Sequence, residues 1–85
     1  MSLGRAKLSK AVEHLRAGDW QVAHEIVQKD EDSPLARWAH GIVHLMEGDR
    51  ANARYWYRQA KRVFPADADA RAETEALARA LGGKD

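Results

Sequence analysis

An all-α fold of antiparallel helical hairpins is predicted by three features of the sequence. The chain has 85 residues, 45% hydrophobic and 32% charged, with only two prolines, which suits one small helical domain over 1–85 better than disorder or a β-sandwich. Apolar residues recur at the three- and four-residue spacing of amphipathic helices. An internal repeat aligns "HLRAGDWQVA" (14–23) with "HLMEGDRANA" (44–53) at an offset of 30 residues.

Tight turns between paired helices are predicted at the two Gly-Asp steps of this repeat. Gly18 and Gly48 can take the left-handed backbone conformation that ends a helix. Asp19 and Asp49 follow them, where a carboxylate can accept hydrogen bonds from the free N–H groups of the next helix. Each copy is therefore predicted to be a helix, a tight turn and an antiparallel helix.

The other helix ends are predicted from residues that start or stop helices. Ser33-Pro34 is typical of a helix start, with Ser as the cap and Pro at the first helical position, and the acidic residues 30–32 favour its positive end. Pro65 is predicted to close the fourth helix, and Gly82-Gly83 the fifth. The predicted helices are 3–17, 20–29, 34–47, 50–64 and 67–81.

The second copy resembles the tetratricopeptide repeat, whose pattern runs W-x2-L-G-x2-Y, A-x3-F, then P. The corresponding positions are Gly41, His44, Ala53, Tyr57, Ala60 and Pro65. His44 stands where Tyr is usual, and His40 where Leu is usual. The segment "GDRANARYWYRQA" also resembles the Sel1-type repeat. The strings "AHEIVQ" and "NARYWYRQA" are similar to those of small bacterial proteins of unassigned function.

This resemblance implies two degenerate repeats followed by a cap. Repeat one spans 5–32, with Ala11 at the Gly position and a short second helix, and repeat two spans 33–65. A capping helix at 67–81 completes the stack, because two repeats are fewer than such proteins usually need. Both families are helical binding scaffolds in which the first helix of each repeat lines a concave surface.

An apolar groove is predicted on that concave surface. Helical spacing places eight apolar residues there: Leu8, Val12, Leu15, Leu35, Trp38, Ile42, Leu45 and Met46. The last helix is expected to cover part of the groove, and exposed apolar surface that remains is expected to bind a second chain or a partner helix. Trp38 is the predicted anchor, because binding energy concentrates in such aromatic residues.

The aromatic and basic run "RYWYRQAKR" (54–62) is predicted to divide between two faces of the fourth helix. An apolar stripe that includes Trp56, Tyr57, Val63 and Phe64 faces the core. The opposite, basic surface is an alternative nucleic-acid site formed by Arg50, Arg54, Tyr55, Arg58, Lys61 and Arg62. The competing interpretation is a solvated face, neutralised in part by acidic residues of 67–75.

Four histidines raise the possibility of a metal site. His40 and His44 are one helical turn apart, and His24-Glu25 of the neighbouring helix can supply a third ligand. The alternative is that His44, like His14 in the first copy, packs between helices with its nitrogens bonded locally. The sequence contains no H-E-x-x-H signature and no nucleophile in a suggestive context, so neither a metal, a cofactor nor a catalytic residue is predicted.

The predicted function is therefore non-enzymatic protein binding. The partner is either a second copy, as a homodimer, or a helical segment of another protein. The alternative is nucleic-acid binding through the basic surface. The chain has no cysteine, no apolar run of membrane-span length and no apolar centre near its start, so a cytoplasmic protein without a membrane partner is expected.

Overall fold

Five helices make up the fold in a computed structural model that describes residues 4–82. They are α1 (Arg5–Arg16), α2 (Trp20–Val27), α3 (Pro34–Glu47), α4 (Arg50–Gln59) and α5 (Ala70–Gly82). The described residues contain no strand, so the all-α prediction is confirmed. None of these helices combines the length and the apolar character needed to cross a membrane. The predicted starting residue Leu3 and the predicted stop residue Gly83 lie outside the described residues.

The two Gly-Asp turns have the same backbone geometry. Gly18 and Gly48 have φ values of 81° and 96°, in the left-handed region that glycine adopts without strain. In each turn the N–H of the following aspartate donates to a histidine carbonyl 2.8 Å away, from Asp19 to His14 and from Asp49 to His44. The prediction that glycine ends the first helix of each copy is confirmed.

The aspartates of these turns differ in their side-chain bonds. Asp49 caps α4, since its carboxylate accepts hydrogen bonds from the backbone N–H of Asn52, at 3.2 Å, and from the Asn52 side chain, at 2.7 Å. These bonds lower the pKa of Asp49. Asp19 makes no side-chain cap bond with α2, and its carboxylate lies 3.5 Å from Nδ1 of His14. The predicted cap at Asp19 is therefore wrong.

The start of α3 follows the sequence prediction. Pro34 is its first residue, and the Ser33 hydroxyl accepts a hydrogen bond from the Ala36 N–H at 3.4 Å. Asp30, which is buried, accepts the N–H groups of Asp32 and Ser33 at 3.0 and 3.1 Å. This acidic side chain therefore orders the turn that leads into α3.

The end of α4 differs from the prediction, because the helix stops at Gln59 rather than at 64. Lys61 takes a left-handed conformation with φ 61°, and the Arg62 N–H donates to the Tyr57 carbonyl at 2.9 Å. This bond closes the helix as a glycine turn would, without a glycine. Val63 consequently leaves the helix and is 88% exposed, so its predicted place on the apolar stripe is wrong.

The start of α5 also lies later than predicted, at Ala70 rather than at 67. Asp69 sets this start: its carboxylate accepts the Ala72 N–H at 3.0 Å, and its carbonyl accepts the Glu73 N–H at 2.9 Å. Because α4 ends early and α5 starts late, residues 60–69 form a connection without regular helix. This connection joins α5 to the two hairpins.

The core is organised around α3. The hairpin partners pack together as the pairs α1 with α2 and α3 with α4, and α2 and α3 join the hairpins. The last helix packs against α1 and α3. The large, fully buried side chains of the core are Trp38, Tyr57, Leu15, Ile42, Leu77, Val27 and Val43. The predicted groove therefore lies where α5 sits.

Candidate functional site

The predicted groove is filled by α5 of the same chain. Leu8, Val12, Leu15, Trp38, Ile42 and Leu45 are all at most 8% exposed, and Leu35 and Met46 are partly buried. The α5 residues that face them are Thr74, Leu77 and Leu81, which are buried as well. The last helix, expected to cover part of the groove, thus covers most of it, and Trp38, Ile42 and Leu45 belong to the core.

A single carboxylate, Glu73, joins α5 to two aromatic side chains of the hairpin core. Its Oε1 accepts hydrogen bonds from the Tyr57 hydroxyl at 2.6 Å and from the Trp38 indole N–H at 3.2 Å. Burial, and then the bond to Glu73, raises the pKa of Tyr57. The guanidinium of Arg62 lies 3.4 Å from the centre of the Trp38 ring. Both Trp38 and Tyr57 are thus tied to the placement of α5.

A second contact holds the outer edge of α5. Arg16 of α1 donates two hydrogen bonds to the carboxylate of Glu75, each 2.8 Å long, and this pair is exposed to solvent. The guanidinium holds the pKa of Glu75 below its ordinary value. Arg5 also donates to the carbonyl of Leu81 near the end of α5. Exposed ion pairs contribute little to stability, so the apolar contacts and Glu73 carry most of the attachment.

The basic surface lies on the exposed side of α4 and the segment after it. Its residues are Arg50, Arg54, Tyr55, Arg58, Lys61 and Arg62, all exposed, with Tyr55 46% exposed. Tyr57 is buried, as predicted, and Trp56 is half-buried. Tyr55 is therefore the aromatic side chain of the run 54–62 that shares a face with the cations.

Within residues 4–82, no direct ion pair joins this surface to the acidic residues that follow it. Among the ion pairs of residues 4–82, none includes a cation of the basic surface. Glu73 instead bonds Trp38 and Tyr57, Glu75 pairs with Arg16, and Asp69 caps α5. Some of the cations stack on rings instead: the Arg50 and Arg54 guanidinium groups lie 5.3 and 5.2 Å from the centre of the Phe64 ring. The cations of this surface are therefore not held in direct ion pairs within the described residues.

Three histidines meet where α2 packs against α3, and we call them the histidine cluster: His24, His40 and His44. His40 and His44 lie one turn apart on α3, and their rings stack with centres 5.1 Å apart. His24 of α2 brings its Nε2 atom to 3.2 Å from Nε2 of His40. One potential ligand nitrogen from each residue lies within 4.8 Å of the other two. The fold thus assembles the three histidines that the sequence placed on neighbouring helices.

His40 is the innermost member of the cluster. It is 4% exposed, and its ring stacks on the Trp56 ring with centres 3.9 Å apart and an angle of 9°. Its Nδ1 atom is buried without a hydrogen-bond partner in the described part of the chain. Burial, followed by the neighbouring His24 and His44, lowers the pKa of His40 to about 4. The ring is therefore neutral at pH 7, the form in which imidazole offers a lone pair to a metal.

The acidic neighbour of the cluster is not the one considered from the sequence. Glu25 follows His24 in the chain but is exposed and is not among the converging groups. Glu47 lies one turn beyond His44 on α3, and its Oε1 is 2.9 Å from Nδ1 of His44. The three-residue spacing of His44 and Glu47 was the signal that could have identified this pair. Glu73 had no such signal, because both of its partners lie on other helices.

Comparison of the chain with protein-family models, curated proteins and solved structures found no match. The candidate sites accordingly rest on the geometry of this chain alone.

Proposed function

We propose that the protein is a non-enzymatic binding module whose groove, between α1 and α3, takes up one amphipathic helix of a partner protein in place of α5. The observation that supports this is the way α5 is held. Its residues Thr74, Leu77 and Leu81 are buried, with the Thr74 hydroxyl bonded to the Ala70 carbonyl, and the carboxylate of Glu73 accepts hydrogen bonds from Trp38 and Tyr57. A partner helix that resembles α5 would therefore carry buried side chains at helical spacing and one carboxylate at the start of that series.

The connection of residues 60–69 makes α5 a separable element. It has no regular helix, and α5 packs on α1 and α3, while its link to α4 is the side-chain hydrogen bond from Tyr57 to Glu73. A tethered helix competes with a free one at an effective concentration in the millimolar range for a short linker. A partner helix therefore has to bind the groove more tightly than α5 does, or act after α5 has been loosened. The α5 of a second copy can also occupy the groove. At high protein concentration we therefore expect a homodimer in which the two chains exchange their α5 helices.

A labelled peptide of residues 69–82 tests this function by fluorescence anisotropy. With the unaltered chain, binding is expected to be weak, because the tethered α5 competes. Replacing the buried Leu81 by Ala weakens α5, since losing a buried Leu side chain costs about 2–5 kcal/mol. The Leu81→Ala chain is therefore expected to bind the peptide at least about tenfold more tightly.

The matched control is the same peptide carrying Leu77→Glu, which places a charge at a fully buried position and is expected not to bind either chain. Circular dichroism of the Leu81→Ala chain checks that it keeps its helices. Equal affinity of both chains for the peptide, or binding of the Leu77→Glu peptide, would contradict the groove as the binding site.

Nucleic-acid binding is a second candidate function, supported by the exposed cations of the basic surface and their lack of ion pairs within residues 4–82. If its five cations neutralise phosphates of a single strand, affinity is expected to fall by about 100-fold between 50 and 200 mM salt. The measurement is anisotropy of a labelled single-stranded RNA at both salt concentrations. Arg58→Ala should weaken binding, whereas Lys10→Ala on α1, also an exposed cation, should not. Affinity that is indifferent to salt would eliminate this candidate.

A further inference from the structure

The separation of two nitrogens in the histidine cluster matches that of metal ligands. Nε2 of His24 and Nε2 of His40 are 3.2 Å apart. A tetrahedral ion with metal–nitrogen bonds of about 2.0–2.1 Å holds its ligand nitrogens roughly 3.3–3.4 Å from each other. These two atoms are therefore almost at ligand spacing already. A nitrogen of His44 lies within the 4.8 Å that encloses one ligand atom from each member.

The bonds around the cluster leave ligand nitrogens available. Nδ1 of His44 lies 2.9 Å from the Glu47 carboxylate, which can accept a hydrogen bond from an N–H at this nitrogen. Its Nε2 then keeps the lone pair, and this carboxylate–histidine arrangement is typical of metal ligands. For His40, one nitrogen faces His24 and the buried Nδ1 has no partner in the described part of the chain. When Nε2 of His40 is the ligand, Nδ1 carries the proton and points away from the ion, so a water molecule rather than the ion is what would satisfy it.

The backbone holds the three ligands on regular helices. His40 and His44 are four residues apart on α3 and share a face, and the ring of Trp56 from α4 stacks on His40. His24 approaches from α2, close to its C-terminal end. Side chains that are fixed in this way need little rearrangement to bind an ion, which lowers the entropy cost of binding.

We propose that His24, His40 and His44 bind one divalent first-row transition-metal ion, with zinc as the preferred ion. Three neutral imidazoles suit zinc, and water or an outside ligand would complete the coordination. The chain has no cysteine, so no thiolate competes for the ion. The proposal is independent of the groove, because the histidine cluster contains none of the groove residues.

Titration of the tag-free, chelator-treated full chain with zinc chloride tests the site. We expect one ion per chain by calorimetry, and a rise in melting temperature of roughly 10–20 °C at a zinc concentration 100 times the Kd. Cobalt(II) added alone is expected to give the visible absorption bands of a tetrahedral or five-coordinate ion. His24→Gln and His44→Gln are the variants of choice, since both residues are only half-buried, and each is expected to weaken binding by at least about 100-fold.

His14→Gln is the matched control, because His14 occupies the position in the first hairpin that His44 has in the second. It should bind zinc like the unaltered chain. Glu47→Gln is expected to weaken binding about 10- to 100-fold, while Glu25→Gln should not. Three outcomes would overturn the proposal: no saturable binding of one ion, equal losses in the His14 and His44 variants, or zinc that binds without raising the melting temperature. In any of these cases the three histidines are a packing cluster only.

Discussion

Replacing Trp38 by Ala is expected to remove about 3–5 kcal/mol from the free energy of unfolding. The side chain is 2% exposed, and its loss leaves a cavity between α3 and α5. The change also removes the indole N–H that donates to Glu73 and the ring on which Arg62 stacks. The whole free energy of unfolding of a domain of this length is roughly 4–13 kcal/mol. Urea denaturation followed by circular dichroism should therefore show a much lower midpoint and reduced helicity even without urea.

Trp38→Phe is the control for this prediction, because it keeps an aromatic ring in the core and removes the indole N–H. The free energy of unfolding is expected to fall by less, about 1–3 kcal/mol, because the buried volume is reduced and Glu73 loses one of its two hydrogen bonds while keeping the one from Tyr57. If Trp38 were instead exposed as an interface anchor, the Trp38→Ala protein would keep its full helicity and its urea midpoint would not change. That result would contradict the seated position of α5.

Adding one methyl group at Gly41 is expected to destabilise the protein by about 2 kcal/mol. A Cβ atom at Gly41 would lie 2.6 and 2.8 Å from two carbons of the Tyr57 ring and 3.3 Å from the Ala53 carbonyl oxygen. The ring cannot move aside easily, because Tyr57 is 1% exposed and its hydroxyl is bonded to Glu73. In Gly41→Ala, α3 and α4 must separate, and this cost exceeds the gain of up to about 1 kcal/mol from alanine's helix propensity.

Gly82→Ala gives the comparison, since a Cβ there has nothing within 4 Å. Its free energy of unfolding is expected to stay within about 0.5 kcal/mol of the original, as for most surface changes. Denaturation midpoints of the two variants, measured side by side, separate the effect of close packing from that of glycine replacement. A Gly41→Ala protein as stable as the Gly82→Ala protein would show that the contact between α3 and α4 is looser than described.

The sequence predicted those features of the fold that depend on nearby residues. The turns at Gly18 and Gly48 were predictable because their positive φ values favour glycine, and the start of α3 because Ser33-Pro34 is typical of a helix start. The end of α4 was not predictable, because Lys61 takes the left-handed conformation and lysine is not a residue type that favours it. Here the packing of Phe64 against Tyr57 accompanies the turn, and that contact is tertiary.

In the candidate sites, too, the sequence predicted contacts between nearby residues but not contacts between helices. His40 and His44 were predictable as neighbours because four residues on a helix place them on one face. The position of His24 depends on how α2 packs on α3, and the filling of the groove depends on where α5 docks. The hydrogen bond from the Trp38 indole N–H to Glu73 links residues 35 positions apart, and no periodicity in the sequence specifies such a pair. Contacts of this kind are set by the geometry of the assembled helices.

The position of Glu73 shows that the two ends of the groove differ chemically. Its carboxylate lies at the N-terminal end of α5, and it meets the hydroxyl of Tyr57 and the indole of Trp38 at one end of the groove. A helix inserted with reversed polarity, or shifted by one turn, would set an apolar side chain against these donors and leave both unpaired, at about 1–3 kcal/mol each. One partly buried carboxylate thus allows an otherwise apolar surface to distinguish the orientation and register of the helix that it holds.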